Sequence, residues 1–281
     1  MKLSVRHLTT YDYDGDVVDN LNAVRLKPAV GPEQRCEDFA VRLAPGARVH
    51  RHADYFGTEV LEFGVHQPHR RLEIEAEARV QTSPPPPPPQ GDWSATTAAA
   101  YREQGAEYLL RTDRTPPHRA LDELAAGAED SSPLAFVQSL ITAIPDRFEY
   151  RRGVTYVGST VAELLEGGAG VCQDFVHLAL VVLRGRGLPA RYVSGYLFAA
   201  DDGGEASVEV DTHAWLEVLL PRAGGPPAWV GADPTNRHLT AERHVKIGHG
   251  RHYADVPPVK GIYRGEADAR LTVRVTITRE D

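Results

Sequence analysis

GAGVCQDFVHLAL, residues Gly168 to Leu180, is the stretch on which the fold turns. Phe175, Leu178, Ala179, Val182 and Leu183 recur at helical spacing, which predicts a buried helix. Cys172 lies three residues before Phe175 and seven before Ala179, so it faces inward from the first turn. Unsatisfied N–H groups and the helix dipole favour negative charge there, and a thiol is a nucleophile only as thiolate. Gly170 lacks a Cβ, so the chain is predicted to turn sharply and to let a substrate approach the backbone. In RGRGLP, Gly187 in the left-handed conformation and Pro189 beyond it end the helix.

Upstream, Ser132 as N-cap and Pro133 as first residue announce a helix running to Ile144, where Pro145 stops it. Ala95 to Arg111 reads as another helix, weakened by Gly105. In FEYRRGVTYVGST, Thr160 is expected to cap a short helix through Leu165 that Gly167 and Gly168 end. Downstream, ARYVSGYLF, VEVDTHAWLEVLLP and PAWVGADP read as three strands, and LTVRVTIT closes the chain as another.

The first 83 residues differ in period. In RRLEIEAEARV, Leu72, Ile74, Ala76, Ala78 and Val80 alternate with charged residues, as a half-buried strand does. Phe39, Val41 and Leu43, then Leu61, Phe63 and Val65, repeat the pattern, with turns predicted at Asp14-Gly15 and Pro45-Gly46. Three segments follow: a small antiparallel β domain over 1–83, a proline-rich linker over 84–92, and an α+β core over 93–281 that keeps the last strand. Prolines 84–89, held as polyproline II, make a stiff spacer of roughly 19 Å. A proline-binding partner is the rarer use of such a run.

Composition narrows the function. A net charge of −8 disfavours nucleic acid and anionic membranes, which need a basic field. No apolar stretch resembles a signal peptide or a membrane span, which leads to an expectation of a cytoplasmic protein. The two cysteines, Cys36 and Cys172, are too few for a disulfide framework or a cysteine zinc site, so a free thiol is expected.

A reactive thiol needs a base, and His213 is the candidate. In the strand around it, Ala214, Leu216, Val218 and Leu220 form one apolar face, while Asp211, His213, Trp215 and Glu217 form the other. If the following hairpin pairs Leu220 with Ala228, Asp233 lies opposite Trp215 and diagonal to His213, about 7–8 Å away between backbones. A bulge at GGPP would shift that register. Cys172, His213 and Asp233 then supply a nucleophile, a base and an orienter, with the Cys172 N–H as an oxyanion donor.

GVCQDFVHL, LPARYVSGYL, THAWLEVLLP and GADPTN, in this order over Gly170 to Asn236, resemble the bacterial transglutaminase-like family. YDYDGDV, LNAVRLKPAV and DYFGTEV resemble the β domain that precedes its core. The resemblance implies a papain-like α+β core, a catalytic Cys172, His213 and Asp233, a peptide or protein substrate, and no cofactor. It favours an amide hydrolase working through a thioester; protein-glutamine transamidation by the same thioester and a catalytically idle peptide-binding module are the alternatives. In GRHYADVPPVKGIYRG, His252 stands where the resemblance leads one to expect an aspartate.

Other features read blandly. Cys36 is a small hydrophobe, Trp215 a packing residue, and His177 points away from Cys172. Gln173 and Asp174 satisfy the helix start. No spacing among His238, His244, His249 and His252 matches a helix-borne zinc pair, and DDGGE from Asp201 is too short for a calcium loop, so no metal is expected.

Overall fold

The computed structural model describes residues 1–113, 115–128, 130–154, 160–200 and 207–280; part of the loop before Thr160 and the DDGGE stretch fall outside them. The strands of the first half are β1 (Lys2–Val24), β2 (Gln34–Ala44), β3 (His50–Ala53), β4 (Glu59–Val65) and β5 (His69–Thr82). Then come α1 (Ala99–Gln104), α2 (Ala120–Gly127), α3 (Pro133–Arg147), β6 (Glu149–Tyr150), α4 (Val161–Gly167), β7 (Ala169–Gly170) and α5 (Cys172–Gly185). The remainder is β8 (Ala190–Leu197), β9 (Ser207–Val210), β10 (His213–Arg222), β11 (Gly225–Asp233), β12 (His238–Leu239), β13 (His244–Gly250), β14 (Val259–Arg264) and β15 (Ala269–Arg279).

Two antiparallel sheets carry the molecule. In the first, β1 is the spine, and β5 presents Leu72, Ile74, Ala76, Ala78 and Val80 to the core as the alternation requires. Asp14-Gly15 is not a turn between strands but an irregularity within β1. Register slips between Asp12 and Val17, and β1 exchanges β5 and β15 for β4 and β14. An unpaired residue or two bends a strand without reversing it.

The second sheet has the order β12-β11-β10-β8-β13. On one face, Ala214, Leu216, Val218 and Leu220 pack against Phe175, Leu178, Ala179, Val182 and Leu183 of α5, joined by α3. On the other, Tyr196, Val245 and Ile247 meet Leu3, Val5, Ala78, Val80, Val275 and Ile277 from the first sheet. The α+β class therefore holds, with helices on one side of the core sheet and the β domain on the other.

Several elements depart from the sequence expectation. VEVDTHAWLEVLLP is two strands, since β9 pairs β15 in the first sheet and β10 lies in the second. The last strand, assigned above to the 93–281 core, pairs β1 from Leu3 to Tyr13. With β5 on one side only, β1 would expose an unpaired edge there, and β15 closes it. Ala95–Arg111 is α1 between two 3₁₀ turns. It breaks at Gly105, where a Cβ would sit 2.2 Å from Pro189 Cγ. Pro145 does not stop α3: so near the end its missing N–H forfeits one bond, and Phe148 N–H still donates to Ile144 O at 3.0 Å.

Local signals elsewhere hold. Ser132 Oγ accepts from Ala135 N–H at 3.1 Å, a cap contributing about 1 kcal/mol, and Thr160 and Glu163 form a capping box. The polyproline run ends tied to the core, with Pro89 buried and Ala223 N–H donating to Gln90 O at 2.9 Å. Among the described residues no helix is long and apolar enough to cross a membrane.

Candidate active site

Cys172 is the first residue of α5, partly buried, with the Asp174 carboxylate reaching back to accept from Val171 N–H at 2.9 Å. Gly170 is needed for that cap rather than for substrate. A Cβ there would lie 2.7 Å from Leu164 Cδ1 and 2.8 Å from Asp174 Oδ2, so the space is already filled. The short parallel pairing of β6 with β7 sets Tyr150 opposite Gly170, and burial, then the charge of Cys172, pushes its hydroxyl pKa up. Arg152, two residues on, pairs with Asp211 at 2.9 Å on the exposed rim.

His213 begins β10 opposite Gly195 of β8. A Cβ on Gly195 would meet Trp215 Cη2 at 2.4 Å, so this glycine makes the notch that seats the indole. Trp215 is 2 % exposed, with its ring centre 6.1 Å from that of His213; it is a packing residue, as expected. The predicted pairing of Leu220 with Ala228 occurs and continues to Leu216 with Ala232. The irregularity lies between Leu220 and Arg222, on the turn side, where it cannot shift the register. Asp233 consequently falls where His213 Nε2 reaches its Oδ2 at 2.7 Å. The same imidazole lies beside Cys172, which adds to the pull on its proton, and with Nε2 engaged by Asp233 the other ring nitrogen, Nδ1, is left for the sulfur.

The structure thus brings Cys172, His213 and Asp233 into one row. Asp233 is fully buried, yet its pKa is held well below the carboxylate range. Burial opposes this, and the bonds from His213, His244 and Asn236 outweigh it. Burial alone would lower the His213 pKa, but bonds to Asp233 and Cys172 raise it to about 10.

Two members of the site carried no role in the sequence reading. Asn236 Nδ2 donates to Asp233 Oδ2 at 2.8 Å, and since a carboxylate only accepts, the amide orientation is settled. The signal was present in DPTN: Thr235 and Asn236 N–H both donate to Asp233 Oδ1, at 2.9 and 3.1 Å, the turn an aspartate makes with the residues after it. His244, weighed only as a metal candidate, places Nε2 3.1 Å from Asp233 Oδ2. Nothing local reveals this, because β13 reaches the site only by pairing with β8.

His213, Asp233 and His244 bring ligating atoms within 4.8 Å of one another, a spacing a metal ion would accept. The tautomer does not fit. His244 Nδ1 accepts from Ala241 N–H at 3.3 Å, so the ring proton sits on Nε2, the atom a metal would need bare. The remaining candidates disperse: His249 meets Arg191, His238 donates to Leu239 O, and His252 Nδ1 accepts from Ala254 N–H. That last bond is one an aspartate would make, so His252 substitutes as a cap. His177 packs against Tyr192 and accepts from Tyr253 N–H.

Residues 3–81 match the bacterial transglutaminase-like N-terminal region, and residues 119–234 match the transglutaminase-like superfamily. The chain is 34% identical over 281 residues to an uncharacterised protein of Mycobacterium leprae, covering 99% of each. It is 37% identical over 287 residues to one of Mycobacterium tuberculosis, covering 97% of this chain and 91% of the relative. A structure described as a candidate cysteine protease from Cytophaga hutchinsonii superposes with a TM-score of 0.77, covering 100% of this chain and 91% of that one; at 19% identity the likeness is one of fold.

Proposed function

Because the chain belongs to the transglutaminase-like superfamily and carries its bacterial N-terminal region, we propose that it is a cysteine-dependent hydrolase of peptide or isopeptide amides. One observation carries this: Cys172, at the start of α5, lies beside the His213 imidazole, whose Nε2 is hydrogen-bonded to Asp233. A buried imidazole that holds its proton through neutral pH is the counter-ion a thiolate needs, and the open helix end adds to it.

Cys172 Sγ attacks the amide carbon, and the oxyanion takes the Cys172 N–H, which has no partner within the helix at this position. His213 then gives its proton to the leaving amine, the C–N bond breaks, and a thioester remains. Water, deprotonated by the same imidazole, releases the acid. Asp233 fixes the ring with Nε2 toward itself throughout.

The test offers a peptide library with glutaminyl and isopeptide amides, with and without a labelled amine, to wild type and to Cys172→Ala. Hydrolysis that vanishes in Cys172→Ala is expected. Amine incorporation without hydrolysis would make the protein a transamidase, and activity surviving the substitution would overturn the nucleophile.

A further inference from the structure

Asp233 Oδ2 is crowded. His213 Nε2, Asn236 Nδ2 and His244 Nε2 approach it at 2.7, 2.8 and 3.1 Å, while Oδ1 takes two backbone N–H groups. Two of these partners are histidines on the same oxygen, yet they are not equivalent. The far nitrogen of His213 faces a thiol, which can exchange a proton with it. The far nitrogen of His244 faces Ala241 N–H, which can only donate. His244 is therefore locked as a neutral ring with its proton on Nε2. Buried at 7 % exposure against the Trp215 indole 5.2 Å away, it has little access to water that could solvate a positive charge.

We propose that His244 is a positioning residue for the site: a permanently neutral donor that shares Asp233 Oδ2 with His213 and so limits how tightly Asp233 holds the imidazolium. A carboxylate that spends one lone-pair direction on His244 has less charge to offer His213. Removing that donor leaves Asp233 fixed by its two backbone bonds and Asn236. The carboxylate does not turn; it pulls harder on the one imidazole that remains.

The charged and titratable groups around the pair all enter this balance. Cys172 faces His213 from α5, Asp233 from β11, and His244 from β13, with the His238 ring 5.6 Å behind it. The Arg152–Asp211 pair sits on the rim two residues before His213. None of these moves when only the His244 donor is taken away. Burial lowers the His244 pKa despite Asp233 beside it, which agrees with a ring that stays neutral.

The role rests on the proposed chemistry, since it matters only if His213 serves Cys172, but its test needs no substrate. Protein labelled with ¹⁵N in its imidazoles is titrated by NMR as wild type, His244→Phe and His244→Gln. In wild type, His244 is expected as the neutral Nε2–H tautomer, with its titration displaced to more acidic pH than that of a free imidazole. The His213 midpoint is expected to rise by about half a unit or more in His244→Phe, which keeps a ring against Trp215 but cannot donate. In His244→Gln, whose amide donates again, it should return to within about 0.3 unit of wild type. A protonated or Nδ1–H His244 would overturn the proposal, as would a His213 midpoint unchanged or lowered in His244→Phe. If His244→Phe does not fold, the wild-type tautomer and the His244→Gln midpoint still decide. Cys172 alkylation in His213→Ala separates the two claims: a rate unchanged there sinks the proposed chemistry while the tautomer of His244 stands on its own.

Discussion

Strand β10 takes part in two carboxylate clusters on one face, four residues apart, one buried and one partly buried, and they do opposite things. At its start, His213 meets Asp233. Further along, Glu217 accepts from Arg191 at 2.6 Å and from Lys246 at 2.8 and 2.7 Å. Burial would raise the Glu217 pKa, but Lys246 and Arg191 hold it down at about 2. Arg191 is stacked over Trp229 at 4.1 Å, and the β domain seals the cluster where Gln34 exchanges hydrogen bonds with the Lys246 backbone. Both acids are fully satisfied, so burial and bonding alone do not mark a reactive site. The difference lies in the donors. Glu217 has fixed cations on both oxygens, and its charge is closed. Asp233 shares one oxygen with an imidazole that can lose its proton and whose other nitrogen points at a thiol.

The largest expected effect falls on the open end. Cys172→Ala should reduce amide turnover by about 10³-fold or more, with the melting temperature within a few degrees of wild type. A comparable loss at the closed end would erase the distinction. Next, Glu217→Gln should destabilise the fold by about 1–2 kcal/mol, measured by urea unfolding, because it leaves two part-buried cations without their counter-charge. The alkylation rate of Cys172 in the folded molecule should stay within about twofold.

The pH dependence of stability should then separate the ends. Glu217 and Asp233 have depressed pKa values, so their contribution is present above about pH 4.5 and is lost as pH falls toward about 2. His213 has a raised pKa, so its contribution is full below about pH 6.5 and is lost as pH rises toward about 10. Glu217→Gln should flatten the acid slope and leave the alkaline one; His213→Ala should remove the alkaline slope and also soften the part of the acid slope that comes from Asp233. The smallest effect is expected at His252→Asp, within about 0.5 kcal/mol, since one side-chain acceptor replaces another at Ala254 N–H.

What the sequence made legible follows the same division. Caps at Ser132 and Thr160, the period of β5, the inward face of α5 and the β10–β11 register are local or hairpin features, and their residues lie close in sequence. From these, the positions of Cys172, His213 and Asp233 could be worked out. Features set by long-range pairing were hidden. The Leu3–Arg279 partnership that returns β15 to the first sheet spans nearly the whole chain, and the break of β9 from β10 depends on which sheet each joins. His244 reaches Asp233 only through the pairing of β13 with β8, and the use of Gly170 became visible only with Asp174 in place. The Glu217 cluster was hidden because the covering β domain, and Lys246 with it, is not written in the β10 pattern.

The most direct measurement compares the two cysteines inside one molecule. Cys36 is partly buried, and burial pushes its thiol pKa up, so it serves as an internal control for Cys172. With limiting iodoacetamide at about pH 6.5 and peptide mass spectrometry, Cys172 should alkylate about 100-fold faster than Cys36, and His213→Ala should remove most of that advantage. Equal, slow labelling of both thiols, unchanged in His213→Ala, would contradict the account at its centre.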